Sequence, residues 1–430
     1  MKINLLIVLS LFYHLTSAQT LELNQAIQLA LANNLELQVS ENEALIAQNN
    51  NHPGNAGMLP NVSLNINGTP ALTNINQKFT NGTIIERNNV FSNALNASLL
   101  VAYTLYDGSR MYAAKNRLEF QDEAARLAFE KNVQSTINQV ITAYGNILRQ
   151  KELLLVMSFL ESLSSKRLDL IQIRQAAGLA NNADLFTAQL DLEARRQAVT
   201  NQNALLSNAY ITLNALINFK PDSMYQVQSI ELTKQPLSLS TLDSTLFKNP
   251  DLLMAQARLD IARESQTEIA AARLPLVRLT GAYNYNLSQS QAGFSLYNQG
   301  MGPQLGLGIS IPIFAGNVNK INYENAKIGV KNSELQLAII RRDAQAQLYR
   351  AWNDYASAQT QIRSDSASLS VSKSYIELME KRFSEGQCTI LELIEAQSVY
   401  VETNYRYINN LYIEKLAETQ LLLLTGQLVQ

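Results

Sequence analysis

The chain has 430 residues but only one cysteine and two histidines, and one of those histidines, His14, lies in the N-terminal segment read below as a leader. The remainder therefore keeps Cys388 and His52 alone. A disulfide within the chain is excluded, and zinc sites and cysteine- or histidine-based catalysis lose their usual ligands. Charged residues make up 16%, aromatics 7%, and the formal net charge is -2. With no global basic field, nucleic acid is not expected as a main partner. Past the leader no stretch approaches the roughly 20 apolar residues that a spanning helix needs. If this chain crosses a membrane, it does so with strands. It also lacks a phosphate loop and any nucleophile–base constellation, so neither an enzyme nor a cofactor is expected.

Proline and glycine are missing over long distances. No proline occurs between Pro70 and Pro221 or after Pro312, and Gly145 is the only glycine between positions 110 and 177. A helix over 110–177 would extend about 100 Å and needs neighbours along its whole length. Leu185, Leu192, Val199, Leu206 and Leu213 recur every seven residues, the spacing of side-by-side helices. The companion positions Gln189, Arg196 and Asn203 are polar, which suits a wall with one wet side.

Residues 1–18 carry Lys2, an apolar core from Leu5 to Leu15 and the small residues Thr16, Ser17 and Ala18 before Gln19, the pattern of a secretory signal peptide. Export follows. The rest contains an internal repeat. Leu59-Pro60 recurs as Leu274-Pro275, an offset of 215 residues that also aligns Asn34-Leu35-Glu36-Leu37 with Asn249-Pro250-Asp251-Leu252. Leu105-Tyr106-Asp107-Gly108 recurs as Ile313-Phe314-Ala315-Gly316, and Gly178 as Gly386, at an offset of 208. The change of register falls between the strands and is expected to be a shorter loop in the second copy. The first repeat is assigned to 19–220, a linker to 221–245 and the second repeat to 246–430.

Four segments alternate with period two, near 60–70, 92–106, 276–287 and 303–314. Val62, Leu64 and Ile66 alternate with Ser63, Asn65 and Asn67, and Leu305, Leu307, Ile309, Ile311 and Ile313 alternate with Gln304, Gly306, Gly308, Ser310 and Pro312. Such strands fit a membrane barrel with lipid outside and water inside, or a soluble sandwich. Four strands do not enclose a pore, since known barrels begin at about eight. A barrel would require several chains to pool their strands. Gly178 and Gly386 each interrupt a proline-free run where a long helix would turn back. The expected order, twice over, is helix, strand, loop, strand, long helix, tight turn, returning helix. The fold class is mainly α with a small β part.

Leu21-Glu22-Leu23-Asn24-Gln25-Ala26 through Asn33-Asn34, the Leu-Pro strand starts, Leu105-Tyr106-Asp107-Gly108 and the two tips together resemble the TolC-like outer-membrane efflux family over nearly the whole mature chain. That resemblance implies a homotrimer, a twelve-stranded barrel in outer-membrane lipid and a helical tunnel through the periplasm. A mixed equatorial belt would use roughly 219–245 and the C-terminal end. The implied partners are a periplasmic adaptor protein and an inner-membrane transporter, in an efflux or type I secretion system. The implied docking residues are Arg174, Gly178, Leu179, Arg382 and Gly386; as residues, the two glycines serve equally well as simple turn formers. Glu392 and Glu395, three apart on one helix face, match the family's acidic pair at the periplasmic gate, and Asp184 matches the acid of the first copy. Solvated carboxylates favourable to the helix dipole are the alternative for that pair. Cys388 stands where the family's arginine forms a lock, so Phe383 or Asp184 is expected to hold the closed state. A structural or adhesive coiled-coil surface protein is the alternative function, and it would not need alternating strands.

Overall fold

A computed structural model describes residues 20–229 and 237–428. The leader at 1–18 and residues 230–236 of the expected linker lie outside the described residues. In chain order the elements are β1 (Thr20–Leu21), α1 (Leu23–Asn33), α2 (Leu35–Asn50), β2 (Asn61–Lys78), β3 (Ile84–Tyr106), α3 (Arg110–Ala176) and α4 (Asn182–Leu216), then β4 (Gln226–Val227), α5 (Leu239–Thr245), a short 3-10 turn (Leu246–Lys248), α6 (Pro250–Ala271), β5 (Leu276–Ser290), β6 (Tyr297–Ser310), α7 (Val318–Ser384) and α8 (Ile390–Leu424). The fold is mainly helical. α3 and α7 are each 67 residues long, and α4 and α8 each 35. No helix among the described residues is long and apolar enough to cross a membrane.

Two compact units divide the chain, and each draws on both sequence halves. One contains residues 43–127 and 254–339. Its centre is a four-stranded antiparallel sheet in the order β2-β3-β5-β6. The register puts Val62, Val101, Gly281 and Leu305 side by side, then Leu64, Leu99, Tyr283 and Pro303, then Ile66, Ala97, Tyr285 and Met301. All four alternations are therefore in phase, because paired residues in an antiparallel ladder share a face. The opposite face carries Ser63, Leu100, Ala282 and Gln304 in one row and Asn65, Ser98, Asn284 and Gly302 in the next. Val62, Leu64, Ile66, Leu99, Tyr283, Leu305, Leu307 and Ile309 are exposed. The outer edges of β2 and β6 carry no partner among the described residues.

The strands depart from the sequence expectation in length. β2 runs on to Lys78 through Pro70, which its position as an edge strand tolerates, since only one side of it is paired. β6 begins at Tyr297 and stops at Ser310, so Ile311 and Ile313 lie beyond it; Pro312 has no N–H to continue a ladder. The loops between strands are nearly equal, 79–83 and 291–296, so the difference in register comes from longer strands in the first hairpin rather than from a shorter second loop. Gly108, at a φ of 73°, lets the first hairpin's exit pack onto Leu274, where an added Cβ would sit 2.6 Å from that side chain. Two of the recurring motifs thus touch.

The second unit contains the described residues of 1–42, 128–253 and 340–430. The short parallel pair β1·β4 is tied to α3 by Tyr144, whose hydroxyl lies 2.8 Å from the Leu21 and Gln228 carbonyls. Around it Ala26, Ala30, Val140, Ile147, Leu213 and Ile217 form one core, and Leu242, Leu246, Leu348, Tyr355, Leu421 and Leu424 a second. Trp352 packs against the latter and beside Tyr355. Polar contacts order the long helices. α4 is joined to α3 (Gln202 to Gln150, 2.7 Å), α3 to α8 (Arg149 to Asn409, 3.2 Å) and α8 to α7 (Asn410 to Asp365, 2.7 Å). No hydrogen bond or ion pair joins α4 to α7 among the described residues. Leu192 and Leu213 of the heptad series are buried while Gln189, Arg196 and Asn203 are exposed, so one flank of α4 faces the packing and the other water.

Candidate functional site: the two helical tips

Each long hairpin turns by the same device. The Gly178 N–H reaches the Gln175 carbonyl (2.9 Å) and the Leu179 N–H the Arg174 carbonyl (2.7 Å); Gly386 and Gln387 repeat this onto Phe383 (3.1 Å) and Arg382 (2.8 Å). This is the Schellman arrangement, which ends a helix on a left-handed residue. Both glycines have that conformation, with φ of 76° and 74°, and a Cβ at Gly178 would meet nothing within 4 Å. The next helix then starts with a capping box. Asn181 Oδ1 accepts from the Asp184 N–H (2.8 Å), with the Asp184 carboxylate turned back to the Asn181 N–H. Thr389 Oγ1 accepts from the Glu392 N–H (3.2 Å), while Glu392 Oε2 accepts from the Thr389 N–H (2.7 Å) and Thr389 Oγ1 (2.9 Å). The spacings Asn181-x-x-Asp184 and Thr389-x-x-Glu392 are sequence-level signals for such a cap.

Of the acidic gate candidates, Asp184 and Glu392 therefore have a structural task at a helix start. The hydrogen bonds from Thr389, first through its backbone and then its side chain, hold the Glu392 carboxyl below the usual carboxylate range. Glu395 is exposed and has no ion pair among the described residues. Phe383 is buried in the tip core with Ile171, Ala188, Met379, Leu393 and Ala396. Cys388 is half-buried at the edge of that core, and its thiol points to the Met379 carbonyl at 3.6 Å. Burial raises the thiol's pKa, and the nearby Glu392 carboxylate adds to the shift.

Among the docking candidates, Leu179 is exposed at the turn. Arg174 is not simply solvated. Its Nη2 donates to the Phe383 and Ser384 carbonyls, both at 2.9 Å, and its guanidinium lies 5.3 Å from the centre of the Phe383 ring. The first hairpin thus caps the last turn of α7, a favourable place for a cation. Among the described residues Arg382 reaches only its own turn, at the Gln387 carbonyl (3.2 Å).

Sequence reasoning missed a buried polar cluster farther from the turns. Arg167 of α3 is 3% exposed. Its guanidinium pairs with Asp191 of α4, donates to Ser164 Oγ (3.0 Å) and to Gln397 Oε1 of α8 (3.1 Å), and Gln397 in turn donates to Glu380 of α7 (3.1 Å). Burial lowers the Arg167 pKa, opposed by the carboxylates of Asp191 and Glu380. The cluster spans all four long helices. No sequence pattern singles out Arg167, which lies outside the seven-residue repeat of 185–213.

No group of three or more potential metal ligands occurs among the described residues. Comparison with known proteins agrees with the fold. TolC of Escherichia coli strain K12 is 25% identical over 424 residues, 95% of this chain and 83% of that protein. The proteases secretion protein PrtF of Dickeya chrysanthemi is 23% identical over 417 residues, covering 91% and 87%. Among solved structures, the CmeC outer membrane channel of Campylobacter jejuni superposes with a TM-score of 0.80 at 18% identity over 94% of this chain and 85% of CmeC. The outer membrane protein VceC of Vibrio cholerae gives 0.78 at 16% over 94% and 96%. The outer membrane efflux protein family matches residues 26–218 and 241–427, and this chain belongs to that family.

Proposed function

We propose that the chain is the outer-membrane exit duct of an efflux or type I secretion system, acting without enzymatic chemistry of its own. The observation that carries this reading is the sheet. Four strands align their apolar alternation on one exposed face and their polar and small residues on the other, and neither outer edge has a partner among the described residues. A soluble sandwich would cover the apolar face with a second sheet. Lipid covers it here, and the open edges are closed by further copies, because unpaired backbone is not tolerated in hydrocarbon. Three copies give a twelve-stranded barrel, within the known range. The equal lengths of α3 and α7 and of α4 and α8 support a twofold internal repeat, with boundaries at 19–220, 221–245 and 246–430.

The tips, with Arg174, Gly178, Leu179, Arg382 and Gly386, would dock a periplasmic adaptor that brings an inner-membrane transporter. TolC, PrtF and a protein named toxin and drug export protein A are among the relatives, which supports an export role. Glu395 and Glu392 from several copies would ring the periplasmic mouth with negative charge. Phe383, Asp184 and Cys388 would act on that mouth through the tip core and the caps. The purified protein should give discrete, cation-preferring conductance steps in planar bilayers. A featureless membrane current would favour the reading as an adhesive or structural surface protein.

A further inference from the structure

We propose that a groove built by α3, α7 and α8 is a binding site for an amphipathic organic cation. As a site it stands on one chain; that its ligand is cargo in transit rests on the proposed exit duct. The groove has a volume of about 550 Å³ and lies wholly within one compact unit. That size suits a small organic molecule rather than a single ion. α8 supplies the floor through Ile413 and Ala417, α3 one wall through Asn138, and α7 the other through Asp354, Ser357 and Gln361. Small buried residues at this level, Ala351 and Ala358 of α7 and Ala417 of α8, leave the space.

Asp354 is the one charged side chain in the lining. It is exposed and has no ion pair or hydrogen bond among the described residues. The neighbouring cations are engaged elsewhere. Arg350, one turn before Asp354, donates to the Ala346 carbonyl (3.3 Å), Arg406 pairs with Asp365 and Glu402, and Lys415 pairs with Glu418. A second carboxylate, Glu414, follows Ile413 on α8; it is only 7% exposed and likewise has no ion pair or hydrogen bond among the described residues. The local charge is therefore negative. Gln134 lies one turn before Asn138 on the same side of α3, and its buried Oε1 has no hydrogen-bond partner among the described residues. A free carboxylate and an unmet buried acceptor call for a ligand that carries positive charge and N–H donors. The apolar floor of Ile413 and Ala417 selects a hydrophobic body over a hydrated metal ion.

The test follows the fluorescence polarisation of ethidium, an aromatic cation, on the detergent-solubilised full-length protein. The unaltered protein should bind it saturably. Asp354→Asn removes the charge and should weaken binding about fivefold or more, the upper end for a partly exposed ion pair. Ser357→Arg fills the groove and offers Asp354 a competing cation, so it should weaken binding at least as much; Ser357 is exposed, and the fold should tolerate the change. Asp169→Asn, at an exposed acid of α3 outside the groove, should stay within twofold. Absence of saturable binding, or binding within twofold of the unaltered protein in both groove variants, overturns the site. Conductance in planar bilayers, read on the same preparation, tests the exit duct separately. Conductance steps without ethidium binding overturn the site and leave the duct standing, whereas groove-dependent binding without conductance overturns the duct and leaves the site.

Discussion

Replacing Arg167 with methionine isolates the energetic role of the buried cluster. The substitution removes the partner of Asp191, whose side chain is only 10% exposed, leaving it Ser164 Oγ at 2.6 Å and Arg195 Nε at 3.4 Å. Losing one member of a buried ion pair costs about 3–5 kcal/mol, because the other charge stays buried. Arg195 remains as a partial substitute, so the cost should lie at the lower end. About 3 kcal/mol corresponds to roughly a 150-fold increase in local opening. Hydrogen exchange read by mass spectrometry should show this in peptides covering residues 160–200 and 390–404. Adding Asp191→Leu should recover most of the loss, since a well-packed apolar replacement of a buried pair is often neutral. The two substitutions should then be strongly non-additive. Exchange within twofold of the unaltered protein for Arg167→Met alone, or additive losses in the double variant, would refute the argument.

Other outcomes follow from the tips. Arg174→Ala removes two charge-assisted hydrogen bonds from the end of α7; with the guanidinium partly in water, the loss should be about 1–2 kcal/mol, seen as faster exchange at 383–387. For Glu392 the folded carboxyl sits below its ordinary value. Its capping contribution is therefore complete above the ordinary carboxylate range, about 4.3, and is lost as pH falls through the lower folded value. Protection of residues 389–393, corrected for intrinsic rate, should be flat from pH 7 to about 5 and fall only in stronger acid. Glu392→Gln with Glu395→Gln should weaken cation preference in single-channel records while keeping that protection, because glutamine also completes a capping box; unchanged selectivity would count against the acidic ring. Gly178→Val and Gly386→Val force a β-branched residue into the left-handed region. Export should fall while oligomers still assemble, as read by drug sensitivity and native gels.

Much of this architecture is legible in the sequence because it depends on absences. A run without proline from 110 to 176 leaves helix as its simplest state, and the observed α3 and α7 fill those runs. Strict alternation over Val62–Asn67 and Leu305–Ser310 marks strands by the same logic. Strand limits are harder. Thr69–Lys78 mixes polar and apolar residues on both faces, so its membership of β2 comes from pairing with β3, which no local pattern reveals. The tip glycines are legible as turns, yet the tasks of their neighbours are tertiary. Phe383 reads as a gate aromatic and lies in the core, Arg174 reads as a docking residue and caps another hairpin, and Arg167, which no local pattern marks, finds its partners Asp191 and Gln397 on two other helices.

The central claim is that the apolar face of the sheet looks into lipid and the polar face into water. Because Trp352 is the only tryptophan, a Trp352→Phe background can report single sites. Leu307→Trp on the apolar face and Asn284→Trp on the polar face should be compared in vesicles whose acyl chains carry bromine. The account predicts strong quenching for the first and little for the second; equal quenching at both sites, or none at either, would contradict it.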